Sequence, residues 1–349
     1  MTADIHIRKE GRAGRITLTR PKALNALSYD MAMAIESALD NWRSDDDVAL
    51  ILIDAIGDKA FCAGGDIQQL YDSGCAGDFA FGRRFWADEY RLNAKIAGYP
   101  KPYVALMQGF VMGGGVGISC HGSHRVTCES TQIAMPECGI GLVPDVGGSL
   151  ILARAPGRLG EYLGTTGTRM GPDDAIHTGF ADAYVPEFMW PTLTATLIES
   201  GDPGTIAAHA TTPPPGALRA LSPQINRHFG GETLRDILNA LRADDSDFAR
   251  DTMKLLARNS PLSMACTIEM IHRLRGPAAD IARALGLEYR FTYRAMEQGD
   301  FLEGIRAAII DKDRKPIWKH GLDSLPGSAV AQMLQPLGKN ALTLEETKT

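Results

Sequence analysis

Apolar and polar positions alternate over residues 5–9 and 14–19, on either side of Gly11-Arg12-Ala13-Gly14. A period of two broken by glycines predicts a hairpin. Pro21 to Leu27 follows as a loop. Ser28 stands where an N-cap is needed, and Met31, Ile35, Leu39 and Trp42 recur at helical spacing, so a helix is expected over 29–43. Val48 to Ile56 is a mostly apolar, β-branched run, the pattern of a strand buried on both faces. Phe61 to Ile67 then forms a glycine turn into a helical stretch. Residues 78–97 are amphipathic and carry Arg83, Arg84, Glu89 and Arg91, with Pro100 and Pro102 as terminators. Tyr103 to Met107 is a further strand, after which Gly113-Gly114-Gly115 opens another helix. Strand, glycine turn and helix thus occur twice, a repeat of pattern but not of identity.

Helices are expected over 157–166 and 172–179, the latter with Pro172 in its first turn. Three prolines within Thr211 to Gly216 read as a linker. Beyond it the period is helical over 218–228, 231–242, 247–258, 261–274, 278–297 and 301–310. The pattern divides the chain into an α/β part over 1–210, a helical part over 211–323 and a weakly patterned, flexible tail over 324–349.

The chain has 349 residues, enough for a large core, with 44% hydrophobic and 22% charged residues, an ordinary globular balance. A net charge of −6 argues against general nucleic-acid binding, and no apolar run is long enough to span a membrane. The N-terminus lacks the apolar core of a secretory signal and fits a transit peptide poorly. Six cysteines without a C-x-x-C pair read as reduced thiols of a cytoplasmic protein. No metal-ligand spacing occurs, so no metal is expected.

Candidate chemistry concentrates between Gly109 and Gly148. Gly65 and Gly114 lie at glycine turns entering helices, where free N–H groups can point at a ligand as oxyanion donors. The alternative is that these glycines only permit tight turns. Gly113 to Gly117 superficially suggests a dinucleotide loop, but the G-x-G-x-x-G spacing is not matched. Glu137 and Asp145 are carboxylates in apolar, glycine-rich sequence, where raised pKa values and proton chemistry are expected. Their plain alternatives are a helix cap and a turn residue. Glu89 on an amphipathic helix would ordinarily be solvated, Cys138 would be a small buried residue, and His121, His124 and His272 would be structural or exposed.

RPKALNAL at 20–27, FCAGGDI at 61–67, MGGGVGIS at 112–119 and MPECGIGLVPDVGG at 135–148 resemble the crotonase (enoyl-CoA hydratase/isomerase) superfamily. DEYRLN at 88–93, KPYVALMQG at 101–109, NSP at 259–261 and GDFLEGIRAAIIDKDRKPIW at 299–318 resemble its 3-hydroxyisobutyryl-CoA hydrolase branch. The resemblance covers about residues 5–320. It implies a spiral of ββα units followed by a helical region. It also implies that Gly65 and Gly114 are oxyanion donors, and that Lys22, Ala23, Leu24, Ala63, Gly65, Asp66 and Ile67 lie along the CoA. Glu89, Gly114, Glu137 and Asp145 would form the acyl pocket, with Glu137 and Asp145 catalytic. CoA would be part of the substrate and no separate cofactor is expected. A homo-oligomer is compatible with the resemblance.

One departure separates the branches. Hydratases of this superfamily resemble one another in carrying a glutamate just after the triple glycine and another in the Pro-Glu segment. Hydration of a C=C bond uses such a pair to handle water and deliver a proton. Gly117 stands at the first place and can do neither. The expected activity is hydrolysis of a short β-hydroxyacyl-CoA thioester, 3-hydroxyisobutyryl-CoA of valine breakdown in particular. Enoyl-CoA hydration or isomerisation is the alternative, and a non-catalytic acyl-CoA-binding protein a third.

Overall fold

The computed structural model describes residues 4–344. Their contacts sort into two compact units that are interleaved in sequence. The first draws on Met1–Asp66, Arg91–Ala134 and Arg169–Ala217, and the second on Ile67–Tyr90, Met135–Thr168 and Leu218–Thr349. The compositional boundary near 210 therefore marks only the last of several passages between units.

The first unit is built on strands β1 (Ile5–Glu10), β2 (Ala13–Leu18), β3 (Leu50–Ala55), β4 (Ala60–Cys62), β5 (Tyr103–Met107), β6 (Phe110–Met112), β7 (His124–Thr127), β8 (Gln132–Ala134) and β9 (Ala183–Tyr184). Six of them form one sheet in the order β1-β2-β3-β5-β7-β9, and β4-β6-β8 form a second. Among the described residues only β1 and β2 of these strands pair with each other antiparallel, as the expected hairpin, with Gly11 at φ 53° in its turn. All other pairs are parallel. From β3 onward successive strands alternate between the sheets, so the chain advances one step in each sheet per turn of a spiral. The buried Leu-Ile-Leu-Ile run of β3 is covered on both faces, as its pattern requires. Leu52, Val104, Leu106, Val126 and Val185 share one core cluster with Leu193 and Leu197 of the helix Trp190–Ser200. That helix, β6, β7, β8 and β9 escape the sequence reading. The strands have two to four residues, too few for a period to show.

The passage from β5 to β6 turns on Gly109. Its φ of 57° lies in the left-handed region, and a Cβ there would overlap the Lys59 carbonyl. Phe110 N–H donates to that carbonyl at 3.0 Å, and Gln132 N–H donates to Gly109 O at 2.7 Å. The corner thus holds all three strands of the small sheet.

The second unit is helical. Pro261–Leu274 packs on Gly148–Arg154 and on Leu159–Thr166. The expected helix over 231–242 forms as Leu234–Arg242, starting at a capping box of Thr233 and Asp236. The expected helix over 301–310 starts as Phe301–Ile305 and widens into a π-helical turn at Arg306–Ile310. Part of the expected flexible tail is ordered: Gly327–Met333 is a helix, with Met333 and Leu334 buried. The rest of that expectation, residues 345–349, lies outside the described residues. Among the described residues no helix is long and apolar enough to cross a membrane.

Gly109→Ala is expected to lower stability by about 2–4 kcal/mol, combining left-handed strain with backbone overlap. Gly77 has φ 76° but nothing within 4 Å of a Cβ, so Gly77→Ala should cost only about 1–2 kcal/mol. Urea unfolding of both variants measures the difference, and equal losses would remove the corner argument.

Candidate active site

In the first unit, two segments far apart in sequence are tied together. Leu24, at φ 51°, accepts the Ala63 N–H at 3.1 Å. Leu27 N–H donates to Gly64 O at 2.9 Å, and Leu27 O accepts the Asp66 N–H at 2.8 Å. The buried Asn25 holds this loop in shape: its Nδ2 donates to Ile56 O at 3.0 Å and Ala60 O at 2.8 Å, while its Oδ1 accepts the Arg20 N–H at 2.8 Å. Arg20 also pairs with Asp66 at 3.1 Å. Lys22, Ala23, Leu24, Ala63, Gly65 and Asp66 are thereby gathered into one place. Ile67, expected with them, falls in the second unit as the N-cap residue of the helix Gln68–Cys75.

The Leu27–Gly65 bridge is parallel and uses the Gly64 carbonyl and the Asp66 N–H. Gly65 N–H therefore faces away from Leu27. A Cβ at Gly65 would meet nothing within 4 Å, so space lies open beside it. Gly114 starts the helix Gly114–Ser119, where a first-turn N–H has no partner inside the helix. Gly113 precedes it at φ 47°, and a Cβ on Gly115 would overlap the Cys62 carbonyl at the end of β4. The triple glycine is what lets this turn press against the neighbouring strand.

The second unit holds the carboxylates. Glu89 lies on the helix Phe79–Ala97, and Glu137 opens the short 3-10 turn Glu137–Ile140. Asp145 lies in the turn before Gly148–Arg154. Glu89, Glu137 and Asp145 are only 4%, 5% and 4% exposed. Glu89 is thus not the solvated helix residue that an amphipathic pattern suggests. Burial is the main cause of every shift here, with Asp145 as the next contributor for Glu89 and Glu137. Glu89 is pushed up to about 8. Glu137 is raised well above the usual carboxylate range. Asp145 rises to about 7 against the pull of a hydrogen bond from Tyr90. Among the described residues Glu89 Oε1 and Glu137 Oε2 have no hydrogen-bond partner. A buried, unpaired carboxylate oxygen carries a desolvation cost. Holding a proton at neutral pH relieves part of it.

The Glu137 turn is braced from behind. Ser260 N–H donates to Cys138 O at 2.9 Å, and Ser260 Oγ donates to Asp300 at 2.6 Å. Asn259 Nδ2 donates to Thr165 O at 2.7 Å. Cys138 is buried with its thiol raised to about 12 by burial, so it is no nucleophile.

Two neighbours of the carboxylates escaped the sequence reading. Tyr90, fully buried, donates its hydroxyl to Asp145 Oδ2 at 2.7 Å. Glu288, also fully buried, accepts Gly147 N–H at 2.8 Å, Ser149 N–H at 3.2 Å and the Ser149 hydroxyl. The signal for Glu288 is its place among Ala284, Leu285, Phe291 and Ala295 on the buried face of Ile281–Gln298, where an acid is out of pattern. Elsewhere, Cys128, Glu129 and Glu187 bring possible ligand atoms within 4.8 Å of one another. They are engaged locally, through Ser130 Oγ to Glu187 at 3.2 Å and Glu187 N–H to Glu129 at 2.9 Å.

The Enoyl-CoA hydratase/isomerase family model matches residues 13–334. The 3-hydroxyisobutyryl-CoA hydrolase, mitochondrial, of Gallus gallus is 39% identical over 354 residues, covering 98% of this chain and 91% of the relative. Its namesake in Rattus norvegicus is 40% identical over 329 residues, covering 91% and 85%. A crystal structure of an enoyl-CoA hydratase from Rhodobacter sphaeroides 2.4.1 is 55% identical, with TM-score 0.93 and coverage of 98% and 100%. A carnitinyl-CoA dehydratase from Mycobacterium thermoresistibile is 40% identical, with TM-score 0.93 and coverage of 99% of each chain. With a two-sheet spiral of parallel strands, glycine turns at its corners and a buried carboxylate set, the chain belongs to the enoyl-CoA hydratase/isomerase family, the crotonase fold.

Proposed function

We propose that this enzyme hydrolyses the thioester of a short β-hydroxyacyl-CoA, 3-hydroxyisobutyryl-CoA first among them. The observation that carries the reading is Asp145, a buried carboxylate bonded by Tyr90 near Glu137, in a chain where Gly117 stands at the other hydratase position. The printed names of the curated relatives support it. The second reading, enoyl-CoA hydration, is favoured by the name of the Rhodobacter sphaeroides structure.

In the proposed reaction Glu137 either attacks the thioester carbonyl or deprotonates water that does so. By the first route an acyl–Glu137 anhydride forms, the C–S bond breaks, and CoA leaves as a thiolate that takes up a proton. Water then cleaves the anhydride to the free acid and Glu137. By the second route the tetrahedral intermediate forms from water and collapses with loss of the same thiolate. The backbone N–H groups of Gly65 and Gly114 are assigned the developing oxyanion, a contribution of about 3 kcal/mol per donor in comparable sites. Asp145 orients water or the substrate hydroxyl. Lys22, Ala23, Leu24, Ala63, Gly65, Asp66 and Ile67 are assigned to CoA, and Glu89 with Gly114 to the acyl end. No cofactor beyond the CoA of the substrate enters, and the proposal places the reaction in the cytoplasm.

Free thiol is expected from 3-hydroxyisobutyryl-CoA, with much slower loss of the enoyl absorbance of crotonyl-CoA. Efficient hydration without thiol release would sink the hydrolase reading in favour of the second.

Glu137→Gln should lower turnover by about 100-fold or more, the scale of a lost acid–base group, with acyl-CoA still bound. In the wild type, a base or nucleophile with a raised pKa is inactive while protonated. Activity should therefore climb as pH rises through about 7, where Asp145 titrates, and beyond it as Glu137 ionises. A kcat/KM profile that falls over this range would contradict the assignment.

A substrate hydroxyl buried without a partner costs about 1–3 kcal/mol, so the pocket needs an acceptor for it. Asp145 and Glu89 are the candidates. The wild type should prefer 3-hydroxyisobutyryl-CoA over isobutyryl-CoA in kcat/KM, and Asp145→Ala or Glu89→Ala should narrow the ratio. An unchanged ratio in both variants excludes hydroxyl reading by these carboxylates.

A further inference from the structure

Glu288 lies on a helix that no candidate motif includes, yet three donors of one turn converge on it. Its Oε2 accepts Gly147 N–H at 2.8 Å, and its Oε1 accepts both Ser149 N–H at 3.2 Å and the Ser149 hydroxyl. It is 0% exposed, on the helix Ile281–Gln298. Glu89 and Glu137 each keep an unpartnered oxygen, whereas both oxygens of Glu288 are used. A carboxylate that spends both oxygens on one turn has the bonding of a clamp.

The turn needs one. Val146, next to Asp145, is a β-branched residue at φ 51°, a backbone state that costs of the order of 1–3 kcal/mol and persists only where the surroundings impose it. Gly147 follows at φ 81°, and Gly148 N–H closes the turn on Asp145 O at 2.7 Å. The strained residue therefore sits between Asp145 and the first group that Glu288 holds. The Asp145 side chain is fixed separately, by the hydroxyl of Tyr90 at 2.7 Å. Tyr90 also lies 3.5 Å from Thr292 Oγ1, one helical turn beyond Glu288 on the same helix. One helix thus supports the backbone beside Asp145 through Glu288, and abuts through Thr292 the tyrosine that bonds its carboxylate.

We infer that Glu288 is a positioning residue: by clamping the Gly147-Gly148-Ser149 turn it holds the strained Val146 and so sets the place of the Asp145 carboxylate. The inference rests on the proposed role of Asp145 in thioester hydrolysis. Glu288 touches neither substrate nor reacting atoms in this scheme, and its effect passes through Asp145.

A double-mutant cycle separates this from simple support of the fold. Thiol release from 3-hydroxyisobutyryl-CoA is measured for wild type, Glu288→Gln, Asp145→Ala and the double variant, with far-UV circular dichroism as the check on folding. Glutamine keeps the shape but presents an amide N–H₂ to donors that need an acceptor. Glu288→Gln should lower kcat by about tenfold or more, the scale of a small misplacement of a reacting group, and leave KM unchanged. On the Asp145→Ala background it should cause no further loss, since residues that act as one unit are not additive. An equal loss on both backgrounds, a loss confined to KM, or no loss at all would overturn the inference. If Glu288→Gln does not fold, Ser149→Ala replaces it in the same cycle. Loss of kcat only where Asp145 is present then upholds the inference, and any other pattern overturns it. A wild type that releases no thiol but hydrates crotonyl-CoA would retire the hydrolase reading alone. The same cycle, read by hydration, would then still decide on Glu288.

Discussion

Burial of carboxylates is the constraint on which the second unit depends. Glu89, Glu137, Asp145 and Glu288 are each nine-tenths or more shielded from water. An ionised carboxylate in such surroundings costs several kcal/mol unless hydrogen bonds replace its hydration. The molecule answers in two ways. Asp145 and Glu288 receive donors, from Tyr90 and from the turn at Gly147 and Ser149. Glu89 and Glu137 keep an open oxygen, and burial raises all four toward the neutral acid, Asp145 to about 7 and Glu288 to about 8 despite their donors. The paired groups are thereby suited to holding a geometry. The open oxygens of Glu89 and Glu137 are suited to meeting a partner that arrives with a ligand.

This division explains the bracing around each group. Asp300 reaches the Glu137 turn through Ser260, and Glu288 reaches the Asp145 turn through its N–H groups. Each brace comes from a helix distant in sequence. A raised carboxylate on a loose loop would swing to water and recover its ordinary pKa. Rigid support is therefore part of the electrostatics.

In the first unit the controlling quantity is backbone distance. β4, β6 and β8 are short strands whose corners bring main chain against main chain, at Gly109 beside Lys59 and at Gly115 beside Cys62. Side chains are excluded there by overlap, and left-handed φ values at Gly109 and Gly113 exclude most residues besides glycine. The glycine-rich motifs are thus a requirement of the spiral itself, whatever chemistry their N–H groups also perform.

Much of this was legible in the amino-acid sequence. Period and capping placed the hairpin, the helix after Ser28, the buried strand β3 and the helices beyond residue 217, because each depends on neighbours a few residues away. The glycine turns and the Pro-Glu and Pro-Asp segments pointed to the family, since close backbone approach and buried acids restrict residue choice locally. The second sheet stayed hidden, because three-residue strands carry no measurable period. The burial of Glu89 stayed hidden because a glutamate on an amphipathic helix declares its side only when a partner covers it. Tyr90 and Glu288 became site residues only in three dimensions. Tyr90 meets Asp145 across 55 positions, and Glu288 meets Gly147 across 141. Local sequence determined which residues could turn, cap and bury. Which acids face one another, and which of them find donors, was decided by tertiary packing, because hydrogen bonds and desolvation act through space and not along the chain.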